Sequence, residues 1–425
     1  MEQSRVTDFD IREEDAEEDW TYAGADTRYM THGLHTYPAR MIPQIARRLV
    51  LNYSQGGELV WDPFCGSGSV LVESMLLGRR CIGTDLNPYA VFLSKVKTRP
   101  IEQTLLRETT ESIIHRVKSL QQSKRKKVDI PDIPNIDYWF KPYVQRKLAI
   151  IREEINSLED STTKDFLRLC FALTVREVSN LKKREFKIVR MRKPKLEEFR
   201  PDVFQSFVNQ VRRCVPLMKS FTTGLPENVE MAEVLEVDNR AAPINPKSVD
   251  LVVTSPPYGD HGTTVAYGQF SRYPALWIDL DSDDVRTVDR RGLGGRNTRE
   301  YSSSELPSET LVKTYEKVHK NSPKRARQLY NFMYELNESF QSIHEKLRHD
   351  ARACIVVGNR LMSRVRIPTN AIIVELGSQM GLEHECTIPR SIPIKRMPWQ
   401  NAPENVEGSK ADTMHTENII ILRRG

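Results

Sequence analysis

The sequence predicts an α/β chain: a doubly wound, mostly parallel sheet of about seven strands, with a helical insertion between its halves. Two observations predict it. A strand, glycine turn, helix, strand unit runs from Leu59 to Asp85, and short apolar runs in the second half supply further strands. A long block between them carries helical periodicity with no strand character.

In chain order, Leu59-Val60-Trp61 is a short apolar strand that leads into Asp62-Pro63-Phe64-Cys65-Gly66-Ser67-Gly68. Val70, Leu71, Met75 and Leu76 then mark a helix that Gly78 ends, and Arg80 to Asp85 reads as a second strand. The block Ile101 to Asn228 holds amphipathic segments around Leu105 to Val117, Tyr143 to Leu158, Phe166 to Leu181 and Val203 to Phe221. Further strands are expected at Val229 to Leu235, Val249 to Val253, Ala353 to Val357, Leu382 to Ile388 and Asn418 to Leu422. Helices are expected at Arg325 to Leu347 and at Asn370 to Met380, where apolar residues recur at helical spacing. A polar segment rich in Gly and Arg, Asp279 to Pro323, is expected to be a mobile loop. The expected organisation is therefore an acidic, disordered tail at 1–27, a first sheet half at 28–100, the helical insertion at 101–228 and a second sheet half at 229–425.

Composition narrows the class of function. The 425 residues carry a formal charge of +6, yet nine acids against Arg5 and Arg12 in residues 1–20 leave +13 on the remainder. Ten Lys or Arg lie between Arg176 and Arg200, and Arg286, Arg290, Arg291, Arg296 and Arg299 form a second cluster. Clusters of this kind suit a polyanionic partner, although a solvated helix face also explains the first. Six cysteines are scattered without CxxC or metal-type spacing, so no metal site is expected. No apolar run approaches the roughly 20 residues that span a bilayer, and nothing at the N-terminus resembles a signal segment. A reduced, cytoplasmic protein with no membrane role is expected.

The glycine turn points to a ligand. Gly66 and Gly68 let backbone approach closely, and the helix that follows presents free amides. Leu71 stands where the Rossmann dinucleotide fingerprint has its third Gly or Ala, which disfavours a pyrophosphate. Asp85, about 20 residues on at the next strand end, suits two ribose hydroxyls. A nucleoside without a diphosphate fits this Rossmann-like unit better.

A second motif, Thr254-Ser255-Pro256-Pro257-Tyr258, follows the apolar strand directly. Two prolines fix the backbone in an extended, stiff exit that holds its carbonyls in place. Together, DPFCGSG with its strand-end acid and TSPPY resemble the S-adenosylmethionine-dependent DNA aminomethyltransferases, which modify cytosine N4 or adenine N6. His35-Thr36-Tyr37-Pro38-Ala39-Arg40 and Val237-Asp238-Asn239-Arg240 extend the resemblance, which covers about 60 percent of the chain with the C-terminal segments Arg396-Met397-Pro398 and Thr416 to Leu422.

The resemblance implies a methyltransferase sheet that binds S-adenosylmethionine through His35, Tyr37, Pro38, Asp62, Phe64, Gly66, Gly68, Asp85, Leu86, Asp238 and Asn239. It implies a catalytic loop in which Ser255 and the Pro256 carbonyl accept hydrogen bonds from the target amine, Pro257 keeps the carbonyl rigid, and Tyr258 stacks on a flipped base. Ser in the first motif position mostly accompanies cytosine N4 in that family, and Asp or Asn adenine N6, so cytosine is favoured. Carbon-5 methylation needs a thiol nucleophile, and the Pro-Cys pair of the family that performs it is absent. Double-stranded DNA is the expected partner, through Arg272, Arg290, Arg291, Arg296, Lys182, Lys183 and Arg184, with a cognate restriction endonuclease as a second partner and a monomer as the working unit. An adenine-N6 DNA or guanine-N2 RNA methyltransferase, and a catalytically silent nucleic-acid-binding protein of the same fold, stay open. The insertion precedes the acidic loop at Asp238, whereas the family commonly places its target-recognition region after it. That leaves open whether 101–228 or 279–323 reads DNA.

Overall fold

The computed structural model describes residues 19–120, 128–183, 185–260, 264–296, 298–392, 400–401, 411–412 and 415–425. Helix α1 (Pro43–Tyr53) precedes strand β1 (Leu59–Asp62), helix α2 (Ser69–Leu76), strand β2 (Arg80–Asp85) and helix α3 (Pro88–Lys97). Four longer helices follow: α4 (Gln103–Leu120), α5 (Pro142–Asn156), α6 (Ser161–Val178) and α7 (Val203–Gly224). Strands β3 (Glu233–Glu236) and β4 (Val249–Thr254) resume the sheet. Helices α8 (Tyr267–Trp277), α9 (Ser282–Arg291), α10 (Glu309–Asn321) and α11 (Pro323–Lys346) lead to β5 (Leu347–Gly358). Helix α12 (Thr369–Gln379), β6 (Leu382–Ser391) and β7 (Thr416–Arg424) complete the order.

These strands form one seven-stranded sheet in the order β3-β2-β1-β4-β5-β7-β6. Pairs β1 to β5 are parallel, and β7 runs antiparallel between β5 and β6. This is a doubly wound, Rossmann-like sheet with a helical insertion. Alternating side chains feed two cores, because successive Cβ atoms point to opposite faces. Val60, Leu251 and Val253 face the core that contains α2, α3 and the insertion. Trp61, Val249 and Val252 face the core built on α11 and α12. Strand order reverses between β1 and β4, so their C-terminal ends open a crevice at the switch point. The glycine turn leaves β1 there, and TSPPY leaves β4 beside it. Thr254 Oγ1 donates to Asp62 Oδ1 at 2.6 Å and locks the two exits together.

Two expectations are corrected. The acidic tail was expected to reach residue 27, and its residues 1–18 lie outside the described residues. Trp20 however is buried, with the Arg48 guanidinium 3.9 Å over its ring, because an indole loses too much apolar contact in water. The segment 279–323 is not a loop, since it forms α9 and α10. Asp281 caps α9 by accepting from the Asp283 and Asp284 amides, and Val285 and Val288 bury its inner face. Ser308 caps α10 through Leu311 N at 3.0 Å. Arg396-Met397-Pro398 lie outside the described residues.

Candidate active site

The turn after β1 is shaped by Gly66 at φ +51 and Gly68 at φ +78, left-handed angles that a side chain would strain. It folds the Gly66 amide back onto Asp85 Oδ2 at 2.9 Å, while Asn87 N donates to Asp85 Oδ1 at 2.8 Å. Burial pushes the Asp85 carboxyl up to about 6, and those amides pull it partly back. Burial likewise pushes Asp62 up to about 7, against the hydrogen bonds from Thr254 and Phe64. Asn87 caps α3 through Tyr89 N and also donates to Tyr37 and to Ser271, each at 2.9 Å. One asparagine thus ties the segment before the sheet and the helix after the TSPPY loop to the end of β2.

Around this turn lies a cleft of about 1110 Å³, counting its open mouth. Tyr37, Pro38, Asp62, Phe64, Gly66, Asp85, Leu86, Asp238 and Asn239 all line it, together with Ser255 and Pro257. Asp238 is clamped by Arg240, which reaches its carboxylate with Nε at 2.9 Å and Nη2 at 2.5 Å. Arg240 is held in turn by Glu338 at 2.9 Å. Among the described residues, Ser67 Oγ, Ser69 Oγ and Asn239 Oδ1 are buried without a hydrogen-bond partner, and all three residues line the cleft. Buried polar atoms without partners are costly, so a cleft that gathers three of them suits a ligand with matching groups. The set fits a nucleoside-bearing cofactor: a carboxylate for hydroxyls at Asp85, apolar walls at Phe64, Leu86, Val237 and Leu293, and an amide oxygen for an amine at Asn239.

At the other side of the cleft, Ser255 Oγ lies 3.0 Å from Val356 O and 3.4 Å from Tyr258 Oη. Tyr258 Oη donates to Glu417 Oε1 at 2.9 Å. Burial and the Glu417 carboxylate push the Tyr258 phenol well above its ordinary range, so it keeps its proton. Cys65 also borders the cleft, but burial pushes its thiol well up, and a protonated thiol is a poor nucleophile.

Some expected site residues stand elsewhere. His35 does not reach the cleft: it is buried behind it, edge-on to Tyr89 and Phe270, with Nε2 2.8 Å from the Tyr89 hydroxyl. Burial lowers its imidazole to about 3, so it is a neutral core group. Gly68 packs on Ser94 just behind the lining. Pro256 is buried, and Pro256 and Tyr258 sit beside the lining formed by Ser255 and Pro257. Lys182 pairs with Glu185 at 2.6 Å, and Lys183 caps the end of α6 by donating to the carbonyls of Arg176, Glu177 and Ser179. Arg184 lies outside the described residues. Arg290 and Arg296 are exposed and Arg272 is half-buried on α8. Arg291 turns inward: it pairs with Asp284 at 2.9 Å and donates to Leu86 O at 3.1 Å.

The sequence reading missed Asn87 and the wall contributed by Val288, Asp289, Gly292 and Leu293, whereas Tyr267 falls in the segment Gly259 to Arg272 that follows TSPPY and was expected to line the target pocket. Asn87-Pro88 carried a helix-start signal that could have found the first. Tyr267 stacks on Tyr37 at 5.7 Å, and Asp289 accepts from Gly268 N at 2.9 Å. Those contacts join segments far apart in the chain, and no local spacing announces them.

A doubly wound sheet with a nucleoside-type cleft at its switch point and a polar, proline-stiffened loop beside it defines a methyltransferase of the Rossmann-like class. The DNA methylase family model of the N6/N4 type matches residues 7–95. The Type II methyltransferase M.MvaI of Kocuria varians is 35% identical over 422 residues, covering 95% of this chain and 93% of that protein. The chain belongs to the N6/N4 DNA methylase family and is an S-adenosylmethionine-dependent DNA methyltransferase. A shorter likeness, 42% over 52 residues, joins 12% of the chain to 16% of the tRNA (guanine(10)-N2)-dimethyltransferase of Methanothermobacter thermautotrophicus. Among solved structures, a SAM-dependent methyltransferase from Methanosarcina mazei is 9% identical with a TM-score of 0.33, covering 88% of this chain and 96% of its own.

Proposed function

We propose that this chain methylates the exocyclic N4 amine of cytosine in double-stranded DNA, on a base turned out of the helix, as the modification member of a restriction pair. The observation that carries the reading is Ser255: its hydroxyl borders the cleft with its own proton directed at Val356 O, which leaves oxygen lone pairs to accept from an amine. An exocyclic amine is a poor nucleophile because its lone pair is delocalised into the ring. Acceptors at Ser255 Oγ and the Pro256 carbonyl draw that nitrogen toward tetrahedral geometry, and the Pro256-Pro257 backbone holds them in place beforehand. Tyr258 supplies the stacking face for the base. Bound S-adenosylmethionine supplies an electrophilic methyl group, so the protein's contribution is positioning and polarisation.

In this reading Asp85 receives the ribose hydroxyls, Asn239 and the Asp238 loop hold the adenine end, and Tyr37 and Pro38 flank the methionine end. Arg290, Arg296 and Arg272 meet DNA phosphates, and the helical insertion at 101–228 reads sequence. The Type II methyltransferase likeness over 95% of the chain supports the role in modification. Among the described residues no helix is long and apolar enough to cross a membrane. The test is to incubate DNA with enzyme and cofactor, digest it to nucleosides and identify the product by mass spectrometry against standards. N4-methyldeoxycytidine is expected. N6-methyladenine alone would overturn the base assignment, and methyl transfer to RNA alone, which the tRNA-enzyme likeness makes worth including, would overturn the DNA substrate. Carbon-5 methylation would sink the mechanism as well.

A further inference from the structure

Behind Ser255 runs a directed chain of hydrogen bonds that the catalytic motif does not contain. Tyr258 Oη donates to Glu417 Oε1 at 2.9 Å, and the other carboxylate oxygen, Oε2, pairs with Arg390 Nη1. Arg390 is itself buried, and its Nε donates to the Trp20 carbonyl at 3.0 Å. Glu417 on β7 stands directly opposite Arg390 on β6 in the antiparallel register, so the ion pair is a cross-strand pair on one sheet face. Glu417 stands 159 residues from Tyr258, the motif tyrosine whose Oη lies 3.4 Å from Ser255 Oγ.

We propose that Glu417 is a positioning residue for methyl transfer: by accepting the Tyr258 hydrogen bond it fixes the direction of the hydrogen bonds so that Ser255 meets the target amine as an acceptor. The inference rests on the reading of Ser255 given above. A phenol has one proton, and between a carboxylate and a hydroxyl it donates to the carboxylate, because that bond is charge-assisted. The phenol oxygen is then open only to accept. Whichever neighbour Ser255 donates to, Val356 O at 3.0 Å or Tyr258 Oη at 3.4 Å, no proton is returned to it from this side. Its lone pairs stay available to the cleft. Arg390 makes the arrangement one-way, since a guanidinium offers donors and no acceptor and so must face an acceptor, here Glu417 Oε2.

A glutamine at 417 does more than remove a charge. Arg390 would claim the amide oxygen, the amide nitrogen would turn to the phenol, and Tyr258 would then carry its proton toward Ser255. One of the two Ser255 lone pairs would then be taken, and the amine would meet a weaker, contested acceptor. Glu417→Gln is therefore expected to lower kcat about tenfold or more, the order that follows from disturbing one oriented polar group at a reaction centre. Calorimetric affinity for S-adenosylmethionine should stay within about twofold, because Glu417 lies outside the cofactor cleft.

The decisive measurement is the double variant. Removing the phenol hydroxyl from the reversed chain frees Ser255 again, so Tyr258→Phe with Glu417→Gln is expected to turn over faster than Glu417→Gln alone. A purely structural role for Glu417 predicts the opposite, with losses that accumulate. A double variant no faster than Glu417→Gln, or Glu417→Gln with wild-type kcat, overturns the proposal. Ser255→Ala is run alongside to separate the two claims. Full turnover in Ser255→Ala removes Ser255 as the amine acceptor and takes the underlying reading with it. A slow Ser255→Ala beside a normal Glu417→Gln removes Glu417 alone. Far-ultraviolet circular dichroism on each variant confirms that the comparison is between folded proteins.

Discussion

Asp85 ends β2 with one carboxylate oxygen on the Gly66 amide and the other on the Asn87 amide, and burial raises it from the ordinary 3.8 to about 6. The sign of the consequence follows from linkage. In the empty protein a raised carboxyl contributes stability that is complete below about 4 and is lost as pH rises through about 6. Hydroxyl donors from the bound cofactor favour the ionised form, so affinity for S-adenosylmethionine should be highest above pH 6 and weaken between pH 7 and 5. Asp85→Asn should flatten that profile, and Asp85→Ala should weaken binding by about 1.5 to 3 kcal/mol, the worth of hydrogen bonds to a charged group. Calorimetry at pH 7 and pH 5 checks both, and equal affinities at the two values in the unmodified enzyme would remove Asp85 from the cofactor. Tyr258→Ala makes a complementary case: it loses the ring and its bond to Glu417 while leaving the cleft lining intact, so turnover should fall far more than cofactor affinity. Asp85 and TSPPY were legible in the sequence because their chemistry is local, a strand end followed by a tight turn. His35 was not, because a histidine two residues from a lining tyrosine looks the same in sequence whether it faces the ligand or the core behind it.

At the scale of elements, α9 divides the arginine cluster that composition alone had joined. Arg290 and Arg296 are exposed, whereas Arg291 bonds Asp284 and the Leu86 carbonyl beside the cleft wall of Val288, Gly292 and Leu293. Neutralising Arg290 and Arg296 should lower DNA affinity and flatten its salt dependence by about 0.9 in slope per lost phosphate contact. Arg291→Ala should leave that slope in place and instead raise the dissociation constant of S-adenosylmethionine. Binding titrations at several salt concentrations, with cofactor titrations alongside, distinguish the two, and a slope lost only with Arg291 would reverse the assignment. The strands were readable because β1, β4, β5 and β7 each hold a short apolar run buried on both faces, the pattern of a covered sheet. Helix α9 was hidden because only Val285 and Val288 mark its buried face within a polar segment, and its start depends on the Asp281 cap. The lining of the cleft by α9 was beyond sequence pattern altogether, since it follows from α9 packing against α8 and α3.

For the whole molecule, the arrangement of the cores decides whether the insertion is a separate unit. Leu106, Ile113, Val144, Phe166 and Phe207 of the helical block share one continuous core with Val60, Leu71 and Val253 of the sheet. Trp139 and Phe140 lie against Tyr273, and Phe140 and Phe171 against Trp277, so α8, which follows the TSPPY loop, is packed into the block. The Gly33 and Leu34 carbonyls accept from Arg213 of α7, which fastens the block to the segment that lines the cleft. At the opposite side, Trp20 is tied to β6 through Arg390. A chain folded around shared apolar contacts has no cheap boundary at which to come apart, because exposing one side of such a core exposes the other. Thermal unfolding should therefore give one transition that coincides in far-ultraviolet circular dichroism, which weighs the many helices of the block, and in tryptophan fluorescence, which reports Trp61 and Trp277 in the two cores as well as Trp139. Saturating S-adenosylmethionine at about 100 times its dissociation constant should stabilise the folded state by about 2.7 kcal/mol and move both signals together. Two separated transitions, with the cofactor shifting only the fluorescence of the sheet cores, would instead make 101–228 an independently folding unit, and DNA reading could then be assigned to it without the catalytic loop.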